Sequence, residues 1–216
     1  MPFKGAETEW ITQLIQRDLK KMGIHGAVTL RSDQEPAITH LLDEVCKARK
    51  EARTVPEKAP TGDSRANGLA ERAVQSVEEM LRVHKFSLED RLGKQLPVSH
   101  RVFAWLVEHV ADVLNKSAVG SDGKTAWVRV RGRKYGGDML EFASKVMFRV
   151  SGKVQGGNMT ERWYEGVWLG KSALSDEHLV MKSDGLVVRA RAVRDMGTAI
   201  SLAELDVLQS APHDPT

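Results

Sequence analysis

The sequence predicts an α/β protein in which helices lie on a short parallel sheet and a small antiparallel β-barrel follows. Three observations predict this. Over the first 119 residues, apolar stripes and extended runs follow the order helix, strand, helix, strand, helix, helix, an alternation that a parallel sheet requires. After Gly120-Ser121-Asp122-Gly123 the texture changes to short apolar or alternating runs separated by glycine turns, the pattern of a small barrel. The first part offers only two extended runs, too few to cover the apolar stripes of its helices, so its sheet is expected to be incomplete.

Each element has its own signal. Trp10, Ile11, Leu14, Ile15, Leu19 and Met22 form a helical stripe that Gly23 stops. Ala27 to Arg31 reads as a strand buried on at least one face. Pro36 suits a first helical turn, and Ala37, Ile38, Leu41, Leu42 and Val45 continue that helix. A short extended segment, Ala52-Arg53-Thr54-Val55, is expected to end at Pro56, and Pro60 to Arg65 is loop chemistry. A long helix is predicted from about Leu69 to Lys85, with Ala70, Ala73, Val74, Val77, Leu81 and His84 on its inner side. Another runs from about Val98 to Lys116, with Phe103, Leu106, Val107, Val110, Val113 and Leu114 inward. The barrel strands are expected at Lys145–Val150, Arg162–Leu169, His178–Lys182 and Leu186–Val193. Trp163, Tyr164 and Trp168 are read as core, although beside Arg162 they also suit base stacking.

Bulk properties narrow the class. The chain has 216 residues, 41% hydrophobic and 28% charged, ordinary values for a globular protein. No apolar run approaches a membrane span, and the N-terminus lacks an apolar signal core, which argues against secretion. A single cysteine, Cys46, excludes an internal disulfide and a cysteine-rich zinc module and fits a reducing, intracellular setting. The net charge of +3 is unevenly spread. Residues 1–125 hold 19 basic and 18 acidic side chains, residues 126–196 hold 13 and 8, and residues 197–216 hold three acids and no base. The excess centres on Arg129, Arg131, Arg133 and Lys134; from charge alone it reads first as a solvated face, and beside a metal-binding domain it also suits a polyanion.

Two acids occupy recognisable settings. Asp33 follows the first strand, and Glu71 opens the long helix. A carboxylate at a strand end and another in a helix's first turn can meet over a divalent metal. Each also has a plainer role: Asp33 as a helix N-cap, Glu71 as a complement to the macrodipole.

Leu30-Arg31-Ser32-Asp33-Gln34-Glu35, with Ser64-Arg65-Ala66-Asn67-Gly68-Leu69-Ala70-Glu71-Arg72 after it, resembles the catalytic core of a retroelement integrase, copia-type or retroviral-like. Lys124-Thr125-Ala126-Trp127 and Glu165-Gly166-Val167-Trp168-Leu169-Gly170 further resemble the C-terminal part of copia-type integrases. The resemblance spans roughly residues 1–196 and implies a ribonuclease H-like core followed by an SH3-like barrel. It implies metal-dependent DNA strand transfer and 3′-end processing, with Mg2+ or Mn2+ held by three acids. Asp33 and Glu71 match two of these as catalytic and metal-binding residues. It further implies DNA as partner, Asn67, Arg72, Arg129, Arg131, Arg133 and Lys134 as nucleic-acid contacts, a nuclear setting, and homo-oligomerisation.

The sequence also departs from the family. Gln34-Glu35 replaces the Asn-Gly that commonly follows the second aspartate, and Glu35 is read as a further ligand or a first-turn acid. Gln75 and Glu78 stand where retroviral members often carry bases that meet DNA. Upstream of Asp33 the only aspartate is Asp18, inside the first helix on its polar side, so the family's first catalytic aspartate has no counterpart. The expectation is an N-terminally truncated chain: a partial core over 1–119 with its first strands missing, a linker over 120–141, the barrel over 142–196 with a nucleic-acid-binding role, and a disordered tail over 197–216. As an enzyme it is expected to be inactive, with non-catalytic nucleic-acid binding through its basic C-terminal region as the alternative.

Overall fold

A computed structural model of the chain describes residues 9–58, 68–150, 161–173 and 175–212. The chain divides into two compact units, Met1–Gln75 and Ser76–Thr216. It is a mixed α/β protein with a parallel two-stranded sheet in the first unit and a four-stranded antiparallel sheet in the second. No helix among the described residues is long and apolar enough to cross a membrane.

The first unit begins with α1 (Glu9–Lys21), whose buried face carries Ile11, Thr12 and Leu19. Glu9 in its first turn and Lys20 and Lys21 in its last complement the macrodipole. Strand β1 (Val28–Ser32) leads into α2 (Pro36–Ala48), and β2 (Thr54–Lys58) returns parallel to β1, with Val28 opposite Thr54 and Ser32 opposite Lys58. The two helices pack on each other, and Val45 of α2 is fully buried. Arg49 ties the connections together: its guanidinium donates to the carbonyls of Ile24 and Gly26 and to Thr54 Oγ1. Pro56 does not end β2 as expected but pairs with Leu30 inside it. Proline lacks only the N–H, and in a two-stranded sheet alternate residues of each strand point their N–H away from the partner, where that loss is harmless.

Helix α3 (Gly68–Leu92) runs a further two turns beyond its expected end. Ala70, Ala73 and Val74, expected on its inner side, are exposed, with Leu69 80% and Val74 56% accessible. The apolar stripe is therefore used only from Val77 onward, where Val77, Met80, Leu81 and the fully buried Leu88 join a core.

That core belongs to the second unit. Helix α4 (Val102–Ser117) contributes Val102, Trp105, Leu106 and Val110, while Val107, expected inward, is exposed. Short α5 (Ala126–Arg131) is capped by Thr125, whose Oγ1 accepts the Val128 N–H at 3.2 Å, and closes at Gly132 with φ +70°. Strands β3 (Lys145–Val150), β4 (Trp163–Lys171), β5 (His178–Met181) and β6 (Val187–Asp195) pair in that order, and β6 pairs again with β3, so each strand has two neighbours. One side of the strands holds Val146, Phe148, Trp168, Val180 and Ala190; the other sends Val167, Leu169, Met181 and Val187 into the helical core. The helical segment and the sheet thus share one apolar interior.

The described part of the tail corrects the expected disorder of residues 197–216. Helix α6 (Leu202–Asp206) carries a capping box between Ser201 and Glu204, and Ile200, Leu205 and Leu208 are buried in the same core. Three apolar side chains spaced to reach one surface overcome the entropy of ordering a short acidic segment.

Candidate functional site

Asp33 lies one residue beyond β1 and is exposed. It is not the N-cap of α2, a position held by Glu35; instead its Oδ1 accepts the backbone N–H of Glu35 at 3.3 Å, a local turn that fixes the carboxylate at the strand's end. Glu35 is thus the residue before the first helical turn, where its own side chain makes no capping bond. Glu71 sits in the first turn of α3 and is exposed. Arg72 folds back along the helix, its Nε donating to the Gly68 carbonyl at 3.1 Å. Asn67 lies outside the described residues. Asp33, Glu71 and Arg72 all belong to the first unit. Asp18 is engaged elsewhere, pairing with Lys21 at 3.1 Å and Arg17 at 3.6 Å.

Among the described residues, no group of three His, Cys, Asp or Glu side chains stands close enough to hold a metal ion.

The basic segment of the second unit is less uniform than its sequence suggests. Arg129 is a committed cation: its Nη2 and Nε reach Asp122 Oδ1 and Oδ2 at 2.6 and 3.1 Å. This pairing holds the Asp122 carboxyl down at about 2. Arg131 lies over the Trp127 ring, 5.5 Å from its centroid. Arg133 and Lys134, in the exposed stretch after α5, have no ion-pair partner among the described residues.

Apart from Trp163, two further sets of residues escaped the sequence reading. On the sheet, Arg194 of β6 lies 4.4 Å from the ring centroid of Trp163, and Arg149 of β3 stands opposite Trp163 in the register; both arginines are exposed. Trp168 is fully buried as expected, but Tyr164 is 40% exposed. The alternation Val187-Val188-Arg189-Ala190-Arg191-Ala192-Val193-Arg194 carried the signal, because every second residue of a strand shares a face until a bulge intervenes.

The second set is a polar cluster around the buried Lys116, Lys171 and His178, with the half-buried Asp112, Asp176 and Tyr135 beside them. Burial raises Asp112, and burial together with a hydrogen bond to Asp176 pushes the Tyr135 hydroxyl well above the ordinary tyrosine range. Burial lowers Lys171 and His178. Nearby, His109 is pushed down to about 4, first by burial and then by His84 and Lys116. No short-range motif announces this cluster, whose members come from four separate segments.

No protein-family model matches the chain, and no curated protein matches it. Among solved structures it is similar to a chain of the simian T-cell lymphotropic virus intasome in complex with the PP2A regulatory subunit B56 gamma, at 14% identity and a TM-score of 0.40. The likeness covers 88% of this chain and 63% of that one, so the chain spans less than two thirds of the length of its neighbour. At that identity and superposition the likeness determines neither fold nor function.

Proposed function

We propose that this protein is integrase-related: a partial ribonuclease H-like core with an SH3-like β unit, acting on DNA without catalysing strand transfer by itself. The observation that supports this reading is the setting of its two acids. Asp33 ends β1 in a Ser-Asp turn, β2 runs parallel to β1 after an intervening helix, and Glu71 occupies the first turn of the next long helix behind Asn67-Gly68. Two exposed carboxylates hold a divalent ion weakly, and the described residues add no third. The expected result is therefore no magnesium- or manganese-dependent strand transfer by the purified chain on a labelled donor duplex. Robust joining that vanishes in Asp33→Asn would overturn the inactive reading.

DNA binding would then rest on the second unit, and the exposed cations Arg133 and Lys134 support that role. Each phosphate neutralised releases condensed counterions, so affinity falls with salt in proportion to the contacts made. Fluorescence anisotropy on a short duplex is expected to show salt-sensitive binding. In Arg133→Ala with Lys134→Ala, the slope of log affinity against log salt should shrink by about 2. Arg129→Ala should change it less, because Asp122 already neutralises Arg129. Binding should survive Asp33→Asn with Glu71→Gln. An unchanged slope in the double alanine variant, or loss of binding in the acid variant, would count against this division of roles.

A further inference from the structure

The second unit buries two lysines side by side, and they are not equivalent. The Lys116 side chain is 4% exposed and that of Lys171 is 5% exposed. Lys116 Nζ donates to Asp112 Oδ2 at 2.7 Å and to Asp176 Oδ1 at 3.2 Å, and it lies 4.2 Å from the ring centroid of Tyr135 and 5.4 Å from that of Trp127. Two carboxylates and two aromatic faces form the surroundings of an ammonium. Lys171 Nζ instead has the backbone carbonyl of Asp176 at 3.2 Å and Nε2 of His178 at 3.3 Å. The Asp176 carboxylate stands 3.8 Å from it and already accepts from Lys116 and from the Tyr135 hydroxyl at 3.1 and 3.2 Å.

His178 decides the matter. Its Nδ1 accepts the indole N–H of Trp168 at 3.0 Å, in a buried pair. An indole nitrogen only donates, so Nδ1 carries no proton, and the neutral ring must carry its proton on Nε2. That N–H faces Lys171. An ammonium has three hydrogens and no lone pair, so the two would meet donor to donor; an amine has a lone pair to accept with. Trp168 and a charged Lys171 would compete for the single lone pair of one imidazole.

We infer that Lys171 is held as a neutral amine, accepting the Nε2–H of His178, at pH values where the other lysines are charged, and that the Trp168–His178–Lys171 chain is a pH-sensitive lock between β4 and β5. The groups facing it come from every neighbouring element. Lys116 and Asp112 reach it from α4, together with His109, whose ring centroid is 5.4 Å from that of Trp168. Tyr135 and Asp138 come from the segment after α5, and Asp176 from the β4–β5 turn. Burial and Lys116 both disfavour charge on Lys171, while Asp176, Asp138 and Asp112 favour it; the net direction is downward. The folded chain then holds fewer protons than the unfolded one below the ordinary lysine range, so the lock strengthens as pH rises and is opposed as Lys171 gains its proton on acidification.

The test is NMR of the full chain, with lysine 13Cε shifts followed from about pH 6 to about pH 10.5 and Lys171 assigned by comparison with K171R. Lys171 is expected to titrate at least about one unit below the other lysines, a proton affinity weaker by roughly tenfold or more. Long-range 1H–15N spectra should show His178 protonated at Nε2 and bare at Nδ1. Titration of Lys171 together with the other lysines, or a proton on Nδ1, overturns the inference. In a second arm, urea unfolding at about pH 6.5 and about pH 9.5 should show a larger gain in stability for the wild type than for K171M; equal gains overturn it as well. Should K171M fail to fold, the wild-type spectra decide alone.

Discussion

Single side chains in the second unit carry unusual electrostatic constraints. His109 is 3% exposed, and its Nδ1 has no hydrogen-bond partner among the described residues. With a folded pKa of about 4 against an ordinary 6.5, the unfolded state binds more protons across that window. Stability contributed by keeping this ring neutral is therefore present above about 6.5 and is lost as pH falls toward 4, on the order of 3 kcal/mol in all. His109→Phe, placed against Phe142 and Trp168, should flatten that part of the pH profile in denaturant titrations at pH 7 and pH 5. A persistent acid slope of the same size would assign it to other groups. Asp112→Ala should have the opposite character at neutral pH. It leaves the buried Lys116 ammonium with Asp176 alone among its carboxylates, and a loss of about 3 kcal/mol is expected in urea unfolding.

At the scale of elements, α3 changes character along its length. Its first turns carry Leu69 and Val74 in solvent, and its later turns bury Leu88 completely. Val74→Glu is expected to change stability by less than about 0.5 kcal/mol, whereas Leu88→Ala should lose roughly 2–5 kcal/mol through lost transfer energy and a residual cavity. A large effect of Val74→Glu would mean that this face is covered in solution. The short helices depend on their caps. Thr125→Ala removes the acceptor for the Val128 N–H, and Ser201→Ala dismantles the capping box of α6; each should reduce stability by about 1 kcal/mol in thermal melts.

The whole molecule has two compact units with separate interiors, Val45 in one and the Leu88–Leu106–Leu205 cluster in the other. Two cores of this kind are expected to unfold as distinguishable transitions. Val45→Ala is expected to move one calorimetric transition and Leu106→Ala the other, while a single transition moved by both variants would show that the units fold as one. At this scale the sequence read well where periodicity was long and unbroken: α1, α2, α4 and the four later strands stand within a few residues of their expected bounds. It misjudged Pro56, because a proline is excluded from a strand only where its N–H is needed. It misjudged residues 197–208 too, because three apolar side chains in an otherwise acidic segment give no sign of the distant surface that buries them.

The sequence by itself determined the alternation of helices and strands, the glycine-punctuated antiparallel region, the lack of an internal disulfide with Cys46 as the single cysteine, and the local settings of Asp33 and Glu71. These properties are carried by spacing, turn chemistry and composition within a few tens of residues. Only the tertiary structure decided that Arg129 is paired while Arg133 and Lys134 are exposed without ion-pair partners among the described residues. It alone showed that the first turns of α3 face solvent, that the tail completes a core, and that Lys116 and Lys171 are buried beside one another. Burial and charge pairing join residues far apart in the chain. Lys116 meets Asp176, and Trp105 donates its indole N–H to the carbonyl of Ser210, through space that no local pattern encodes.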